Sequence, residues 1–299
     1  MKKQNQTKGI LILLITATIW GTAFVAQSVG MDHLGAFTFN GIRSLIGAAV
    51  LLPFIAIRNN GQLLPSGKKD RLTLLSGGLA CGIFLCIASN LQQLGISHST
   101  VGKSAFITTL YIVFVPILGL FLKRKASAQT WMGVVLALLG LYLLCMKDEG
   151  FVPTSGDWYL LFCAFFFALQ IMAVDHFSPK VDGLMLSMLE FLVTGILSLI
   201  CMLLFEEPSL SAIKDAAFPI FYAGAFSCGA AYTFQVIGQK YVQPAVASLI
   251  MSLESVIAAL SGWLILKEVL SGKELFGCLL VFCAILLTQI PLPARPKQK

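Results

Sequence analysis

The sequence predicts an all-α integral membrane protein, with ten transmembrane helices arranged as two inverted five-helix repeats. Three observations support this fold class. The 299 residues are 57% apolar before the 26 glycines are counted, 12% charged, and have a mean hydropathy of +0.86. The apolar residues form ten continuous runs, and the two halves share a motif at a constant offset. Continuous runs exclude a membrane-spanning barrel, whose strands alternate in polarity.

The composition also excludes several functional classes. Soluble proteins are about 25% charged, so this chain lies well outside that class. We interpret the formal charge of +7 as a topology signal and not as a nucleic-acid-binding surface. All eight cysteines fall within apolar runs without CxxC spacing, which indicates packing residues. We therefore expect no nucleic-acid partner, no metal site and no cofactor.

The ten apolar runs are each about 20 residues long, which is the length that crosses a bilayer. Their approximate bounds are 10–29, 35–57, 72–96, 102–122, 129–146, 156–176, 183–205, 214–238, 243–266 and 272–291. Turn and charge signals separate them, as at residues 58–61 and 123–125. Lys2 and Lys3 resemble the start of a signal peptide, but nine runs follow, so we interpret the first run as a retained helix.

The basic residues of the connecting segments predict the orientation. With a cytoplasmic N-terminus, fifteen Lys and Arg residues fall on the inside and five on the outside. Short loops with many Lys and Arg stay in the cytoplasm. We therefore expect a multi-pass protein of the cell membrane with both termini cytoplasmic.

A repeated motif divides the chain into halves. Residues 120–145 and 264–289 align at an offset of 144, which pairs Lys123 with Lys267, Ser127 with Ser271 and Gly133 with Gly277. Each half then holds five helices, so the second half enters the membrane from the opposite side. We expect one repeat at 9–146 and the other at 156–290, the architecture of proteins that expose one central site to either face in turn.

Three charged residues lie deep within the runs, where an ionisable group costs about 2.5–3.5 kcal/mol or more. Glu254 lies near the centre of the ninth run, Arg43 in the second and Glu190 in the seventh. Glu254 either binds a proton or a cationic group of a substrate, or is a structural carboxyl. Arg43 and Glu190 are interpreted as structural or coupling charges, and the spacing does not show whether Arg43 pairs with either glutamate.

Uncharged polar and aromatic residues form a second set of candidates in helices 1, 3, 4, 6 and 8. At these depths such side chains must face protein or a water-filled cavity. They either make hydrogen bonds between helices or line a substrate cavity. The cavity candidates, together with Glu254, are Trp20, Phe24, Gln27, Asn90, Gln93, Thr109, Tyr111, Gln170, Tyr232 and Gln235.

The chain resembles the EamA-type transporters of the drug/metabolite transporter superfamily over residues 9–290. The likeness rests on Trp20-Gly21 with Phe24, on Arg43, and on the segments 90–119 and 231–268. Glu254 matches the family's glutamate, and Ser255 stands where the family usually has proline. The resemblance implies a central cavity formed by helices 1, 3, 4, 6, 8 and 9, and commonly the export of amino acids or other metabolites.

These observations predict a secondary transporter that moves a small metabolite, an amino acid or related compound, out of the cell by alternating access. The alternatives from other classes are a membrane scaffold and an intramembrane enzyme. The three histidines lie near loops, and no helix carries an acidic pair within the membrane, so we expect no enzyme. We expect a small-molecule substrate, surrounding lipid and either a monomer or a homodimer, and we leave a coupled proton open.

Overall fold

The computed structural model describes residues 2–99, 101–124, 126–145, 154–265 and 271–289. Within these ranges the chain is helical and has no strand. The ends of both predicted repeats, residues 146 and 290, and Lys267 lie outside the described residues.

In the first half, four of the five predicted runs form one helix each, and the fourth run forms two. The helices are α1 (Lys2–Met31), α2 (Ala36–Arg58), α3 (Lys68–Ile96), α4 (Val101–Thr109), α5 (Tyr111–Phe121) and α6 (Ala128–Cys145). Leu110 separates α4 from α5, so the predicted single run at 102–122 is interrupted near its middle.

The second half is also helical, with more interruptions. Its elements are α7 (Ser155–Phe177), α8 (Gly183–Phe205), α9 (Leu210–Asp215), α10 (Ala217–Tyr222), a π-helix (Ala223–Tyr232), α11 (Thr233–Gln239), α12 (Pro244–Met251), α13 (Leu253–Ile265) and α14 (Gly272–Gln289). Ser252 separates α12 from α13, at the place in the second half that corresponds to Leu110. The eighth and ninth predicted runs are therefore not continuous α-helices.

Eight segments of the described chain are long and apolar enough to cross a membrane. They are 5–31, 36–58, 68–96, 103–121, 155–177, 183–205, 217–239 and 244–265. The other two predicted runs form α6 and α14, each 18 residues long. The chain is thus a multi-pass membrane protein, whereas the count of ten spans stays a prediction.

Close approaches at glycine hold the helices together. A Cβ at Gly140 of α6 would lie 2.7 Å from the carbonyl oxygen of Gly277 in α14. A Cβ at Gly82 of α3 would lie 2.6 Å from Cβ of Val193 in α8. Small residues allow helix backbones to meet in this way, which maximises van der Waals contact where lipid gives little hydrophobic drive.

The bundle has two ends, which we call the N-terminal face and the far face. At the N-terminal face, Asn5 of α1 and Thr288 of α14 border one cavity. At the far face, both carboxylate oxygens of Glu206 accept hydrogen bonds from the first turn of α2, from the amides of Phe37 and Thr38 at 2.9 and 2.8 Å. This contact ties the end of α8 to the start of α2.

Ion pairs also lie at these two ends. Arg58 and Asp182 pair at 2.9 Å on the N-terminal face, and Lys103 and Asp157 pair at 2.6 Å on the far face. Between the ends, large apolar side chains such as Leu79, Leu139 and Ile196 are exposed on the outer surface. A soluble protein exposes few large apolar side chains together, so this apolar outer surface fits a surrounding bilayer.

Candidate functional site

A narrow cavity of about 30 Å³ lies inside the bundle. Side chains from both halves form its wall. They are Trp20, Phe24, Gln27, Arg43, Gln92, Thr108, Tyr111, Phe167, Gln170, Ile171, Ser227, Tyr232, Gln235 and Glu254. The lining is mixed, with one basic residue, one acidic residue, several amides and five aromatic side chains.

The two helix interruptions place Glu254 and Tyr111 in contact. Tyr111 is the first residue of α5 after Leu110, and Glu254 lies in the first turn of α13 after Ser252. The Tyr111 hydroxyl donates a hydrogen bond to Glu254 Oε1 at 2.9 Å. The buried carboxyl thus has a defined orientation at the cavity wall, since only 5% of Glu254 is exposed.

A second contact joins the same two interruptions. The hydroxyl oxygens of Thr109 and Ser255 lie 2.7 Å apart, and both hydroxyls also reach the Ala105 carbonyl. Serine at 255 therefore supplies a hydroxyl for this contact, in the position where a proline would have none. The contact fixes α4 against α13 beside Glu254.

Arg43 belongs to a polar network in the first half. Its Nη1 donates a hydrogen bond to Gln27 Oε1 at 2.8 Å, and its guanidinium lies 5.5 Å from the centre of the Phe39 ring. Gln93 Nε2 donates to the Gln27 carbonyl oxygen at 3.0 Å. Helices α1, α2 and α3 are thereby joined around one buried cation, of which 4% is exposed.

Glu190 belongs to the corresponding network in the second half. Gln170 Nε2 donates a hydrogen bond to Glu190 Oε1 at 2.7 Å. Gln235 Nε2 in turn donates to Gln170 Oε1 at 3.1 Å. Glu190 is fully buried and lies behind Gln170, which itself lines the cavity.

The two networks correspond residue by residue. Gln27 and Gln170 are 143 residues apart, Arg43 and Glu190 are 147 apart, and Gln93 and Gln235 are 142 apart. In each half a glutamine on the first helix is bonded to a charged residue on the second and contacts a glutamine on the third. The corresponding charges have opposite signs.

Several polar atoms beside the cavity have no partner among the described residues. They are Trp20 Nε1, Arg43 Nε, Gln93 Oε1 and Glu190 Oε2. The ion pairs of the described residues do not join Arg43 to Glu190 or to Glu254. Because buried polar groups are normally hydrogen-bonded, these atoms mark a place where a further polar group fits.

Aromatic rings supply the apolar part of the wall. The Trp20 and Tyr232 rings lie with their centroids 4.6 Å apart and their planes inclined at 59°, and the Phe191 ring meets the Tyr232 ring edge-on at 5.3 Å. Phe24 and Phe167 line the same cavity. The site therefore combines charged groups with flat apolar surfaces, as small-molecule sites commonly do.

Three of the predicted cavity candidates lie outside this lining. Asn90 donates to the Cys86 carbonyl and to Ser198 Oγ, both at 2.8 Å, and accepts a hydrogen bond from Asn40. Gln93 and Thr109 lie behind the lining, in the contacts described above. Their polar groups hold helices together, because a neighbouring helix covers that side of each residue.

Five lining residues were absent from the sequence-based candidates. They are Gln92, Thr108, Phe167, Ile171 and Ser227. Gln92 and Thr108 directly precede the candidates Gln93 and Thr109, which lie outside the lining. The sequence therefore indicated these polar segments but not which of two adjacent side chains faces the cavity. Phe167 lies three residues before Gln170 on one helix face, a spacing that could have indicated it.

A wider cavity of about 530 Å³ opens at the N-terminal face. Val115, Met172 and Gln239 line it, one turn or less beyond the central lining residues Tyr111, Ile171 and Gln235. Arg124 and Asp175 pair at its edge.

Lys240 also lines the wider cavity. Burial lowers the pKa of its ammonium group, against the opposing influence of Asp182, and Arg58 lowers it further. The Lys240 ammonium donates a hydrogen bond to the Val181 carbonyl at 3.1 Å.

The chain matches one known protein family in both halves. The EamA-like transporter family matches residues 7–146 and 154–290. The chain belongs to the EamA-like transporter family. Among the described residues of this family member, no group of three or more His, Cys, Asp or Glu is placed to hold a metal ion.

Relatives of this EamA-like protein extend over nearly its whole length. An uncharacterized transporter of Archaeoglobus fulgidus is 28% identical, covering 97% of this chain and 90% of its own. The uncharacterized transporter YoaV of Bacillus subtilis is 24% identical, and the match covers 96% of this chain and 99% of YoaV. A WAT1-related chloroplastic protein of Arabidopsis thaliana is 23% identical, and the match covers 97% of this chain and 74% of the plant protein.

One solved crystal structure has the same fold, with a TM-score of 0.78 at 18% identity, covering 94% of this chain and 96% of the other. That likeness concerns the fold alone. The family and its named relatives identify the chain as a membrane transporter, and their names are those of transporters and not of enzymes.

Proposed function

We propose that the protein is a secondary transporter that moves a small metabolite, an amino acid or related compound, out of the cell by alternating access. The observation that carries this proposal is that corresponding residues of the two halves surround one buried cavity. A site between two inverted repeats can open to either face when one repeat moves against the other.

The helix contacts support two inverted repeats, 9–146 and 156–290, of five spans each. Corresponding helices pack on one another: α2 on α8, through Gly41 against Leu199 and Gly195 against Leu45, and α6 on α14. In α2 and α8 the numbering rises in one partner as it falls in the other, so the two helices are antiparallel. An odd number of spans in each repeat requires this reversal.

The two ends of the cavity differ, which supports an access pathway. Towards the far face, Phe24, Ile96, Ala105 and Ala258 form a buried apolar cluster. Towards the N-terminal face, the wider cavity begins within about a turn of the central lining. We propose that this arrangement is the state closer to opening at the N-terminal face, and that export requires separation of the apolar cluster.

Within the cavity we assign substrate contact to Trp20, Gln27, Tyr232 and Gln235 and proton coupling to Glu254. The aromatic pair gives an apolar platform, and the amides give hydrogen bonds to polar groups. Glu254 is the one carboxyl in the described lining. A carboxyl at a cavity wall can exchange a proton when water enters the cavity. Asn90, Gln93 and Thr109 support this wall from behind.

The charge of the loops supports the orientation. We propose that the N-terminal face is cytoplasmic, that the membrane is the cell membrane, and that the transporter is a monomer or a homodimer. The basic residues Arg58, Lys68, Lys69 and Arg71 lie together at that face and suit an anionic leaflet.

Counterflow in proteoliposomes tests the proposed transport. Vesicles carrying the full chain and a mixture of unlabelled amino acids should take up labelled amino acids faster than empty vesicles. Ser227→Met narrows the cavity and should lower this flux at least tenfold. Phe226→Met is the control, because Phe226 is 49% exposed on the outer surface.

Absence of flux for every metabolite class tried, under proton, sodium and substrate gradients, would overturn the transport proposal and favour a membrane scaffold. Equal flux in the two methionine variants would refute the assignment of the cavity as the pathway.

A further inference from the structure

Arg43 is a buried cation at the cavity wall, and no carboxylate within the described part of the chain pairs with it. Its exposed fraction is 4%, and its guanidinium lines the central cavity. Buried charges are normally paired, because desolvation of an unpaired ion is costly. Arg43 therefore requires an explanation that the helix contacts do not supply.

A purely structural role does not account for the contacts. An arginine that only fastens helices would bind backbone carbonyls or a carboxylate, using several of its five N–H donors. Here one donor reaches Gln27 Oε1, the plane lies near Phe39, and Nε has no partner among the described residues. The guanidinium is held in place but only partly satisfied.

We propose that Arg43 is the binding subsite for a single carboxylate group of the transported molecule. This inference rests on the proposed transport function and assigns one end of the substrate. A guanidinium presents parallel N–H donors that match the two oxygens of a carboxylate. Trp20 Nε1 is a second donor in the same lining that has no hydrogen-bond partner among the residues that the structure describes, and it is available to the same molecule.

The surrounding charges favour a monocarboxylate over a phosphate or a dicarboxylate. Arg43 is the one basic residue in the described lining, and Glu254 lies in the same lining. Arg43 would neutralise one charge of a dianion and leave the other uncompensated. That second negative charge would share the cavity with the Glu254 carboxyl. The adjacent Trp20 and Tyr232 rings suit the apolar remainder of a small carboxylic acid.

Matched ligands test the subsite. The purified full chain is heated in the presence of a panel of amino acids, 2-hydroxy acids and 2-oxo acids, and in the presence of the matching primary amides. Each amide retains the shape of its acid and removes the negative charge. We expect the acids to raise the melting temperature with a half-maximal concentration at least tenfold below that of the amides.

Variants on one helix locate the effect. Arg43→Gln should lose the preference for acids over amides, and Arg43→Lys should retain part of it. Arg58→Gln removes an arginine from the other end of α2, where it pairs with Asp182 at the surface, and should behave as wild type. The comparison of acids with amides on the wild-type chain remains decisive even where Arg43→Gln does not fold.

The outcomes separate this inference from the proposed function. Equal stabilisation by acids and amides, or no stabilisation by either panel, overturns the carboxylate subsite. An Arg43→Gln chain that keeps the acid preference overturns it as well. Counterflow of amides or amines by wild-type vesicles would leave the transport proposal standing while the subsite fails.

Discussion

Glu190 and Glu254 are both buried but lie in different surroundings. Glu254 reaches the cavity wall and accepts one hydrogen bond, from Tyr111. Glu190 lies behind the lining and is held by Gln170. A proton that couples to transport must reach water in some state of the cycle, and the cavity gives that route to Glu254.

Substitution of the two glutamates tests this difference. Glu254→Gln keeps the shape of the side chain and removes its titration, so we expect flux to lose its dependence on pH while substrate exchange persists. Glu190→Gln is the matched control and should keep the pH dependence of wild type. Counterflow measured between pH 5.5 and 8.5 in proteoliposomes, at equal protein content, gives the comparison.

Unchanged pH dependence in Glu254→Gln would make that residue structural. Loss of pH dependence in Glu190→Gln alone would move the coupling role to the other half of the molecule.

At the residue level, the sequence predicted which groups are buried better than which way they face. Charge inside an apolar run indicated Arg43, Glu190 and Glu254 correctly as buried residues. Spacing along one helix could not show that Gln92 and not Gln93 lines the cavity, because both have helical neighbours at the same depth. Arg43 bonds to Gln27 of α1. That contact depends on how α1 is rotated against α2, which no local sequence pattern specifies.

At the scale of the helices, the interruptions determine the geometry of the cavity. Breaks at Leu110 and Ser252 bring the first turns of α5 and α13 to the cavity. Neither break has a proline or a glycine at the interrupting residue, so hydropathy predicted continuous runs there. The runs of α1, α2, α3, α7 and α8 were predictable, since length and hydropathy alone define an uninterrupted span.

The contact between α8 and α2 gives an element-scale prediction. Glu206 accepts hydrogen bonds from two backbone amides and from the Thr38 hydroxyl at 2.6 Å. Glu206→Ala leaves these donors without a protein partner and should lower the free energy of unfolding by about 1–3 kcal/mol. Glu207→Ala, at the exposed neighbour, should change it by less than about 0.5 kcal/mol.

Denaturation of both Glu variants in the same detergent measures this difference. Equal stability would mean that water replaces Glu206 at the start of α2 without cost.

The glycine contact between α3 and α8 gives a second prediction at this scale. A Cβ at Gly82 would lie 2.8 Å from the Glu190 carbonyl oxygen, so Gly82→Ala should push α8 away and cost about 1–3 kcal/mol. A Cβ at Gly272 meets nothing within 4 Å, and Gly272→Ala is the control. Thermal unfolding of the two variants checks the prediction, and equal melting temperatures would contradict it.

For the whole molecule, the two faces of the bundle should label differently. Ser155 lies at the start of α7 on the far face, and Ser66 precedes α3 on the opposite face, and both are exposed. We expect a membrane-impermeant maleimide added to intact cells to modify Ser155→Cys and to spare Ser66→Cys. The native cysteines fall in apolar runs, so the parent chain serves as the background control.

Modification of Ser66→Cys but not of Ser155→Cys would invert the proposed orientation. Modification of both from outside would contradict an odd number of spans between the two sites.

The π-helix at Ala223–Tyr232 sets the rotation of the cavity residues within it and after it. Each residue of an α-helix turns the chain by about 100°, and a π-helix holds one more residue per closed hydrogen-bonded ring. If the same residues continued as α-helix, Tyr232 and Gln235 would be rotated relative to Ser227. The cavity would lose two walls without any change in their identity, so the register of this segment is itself a determinant of the site.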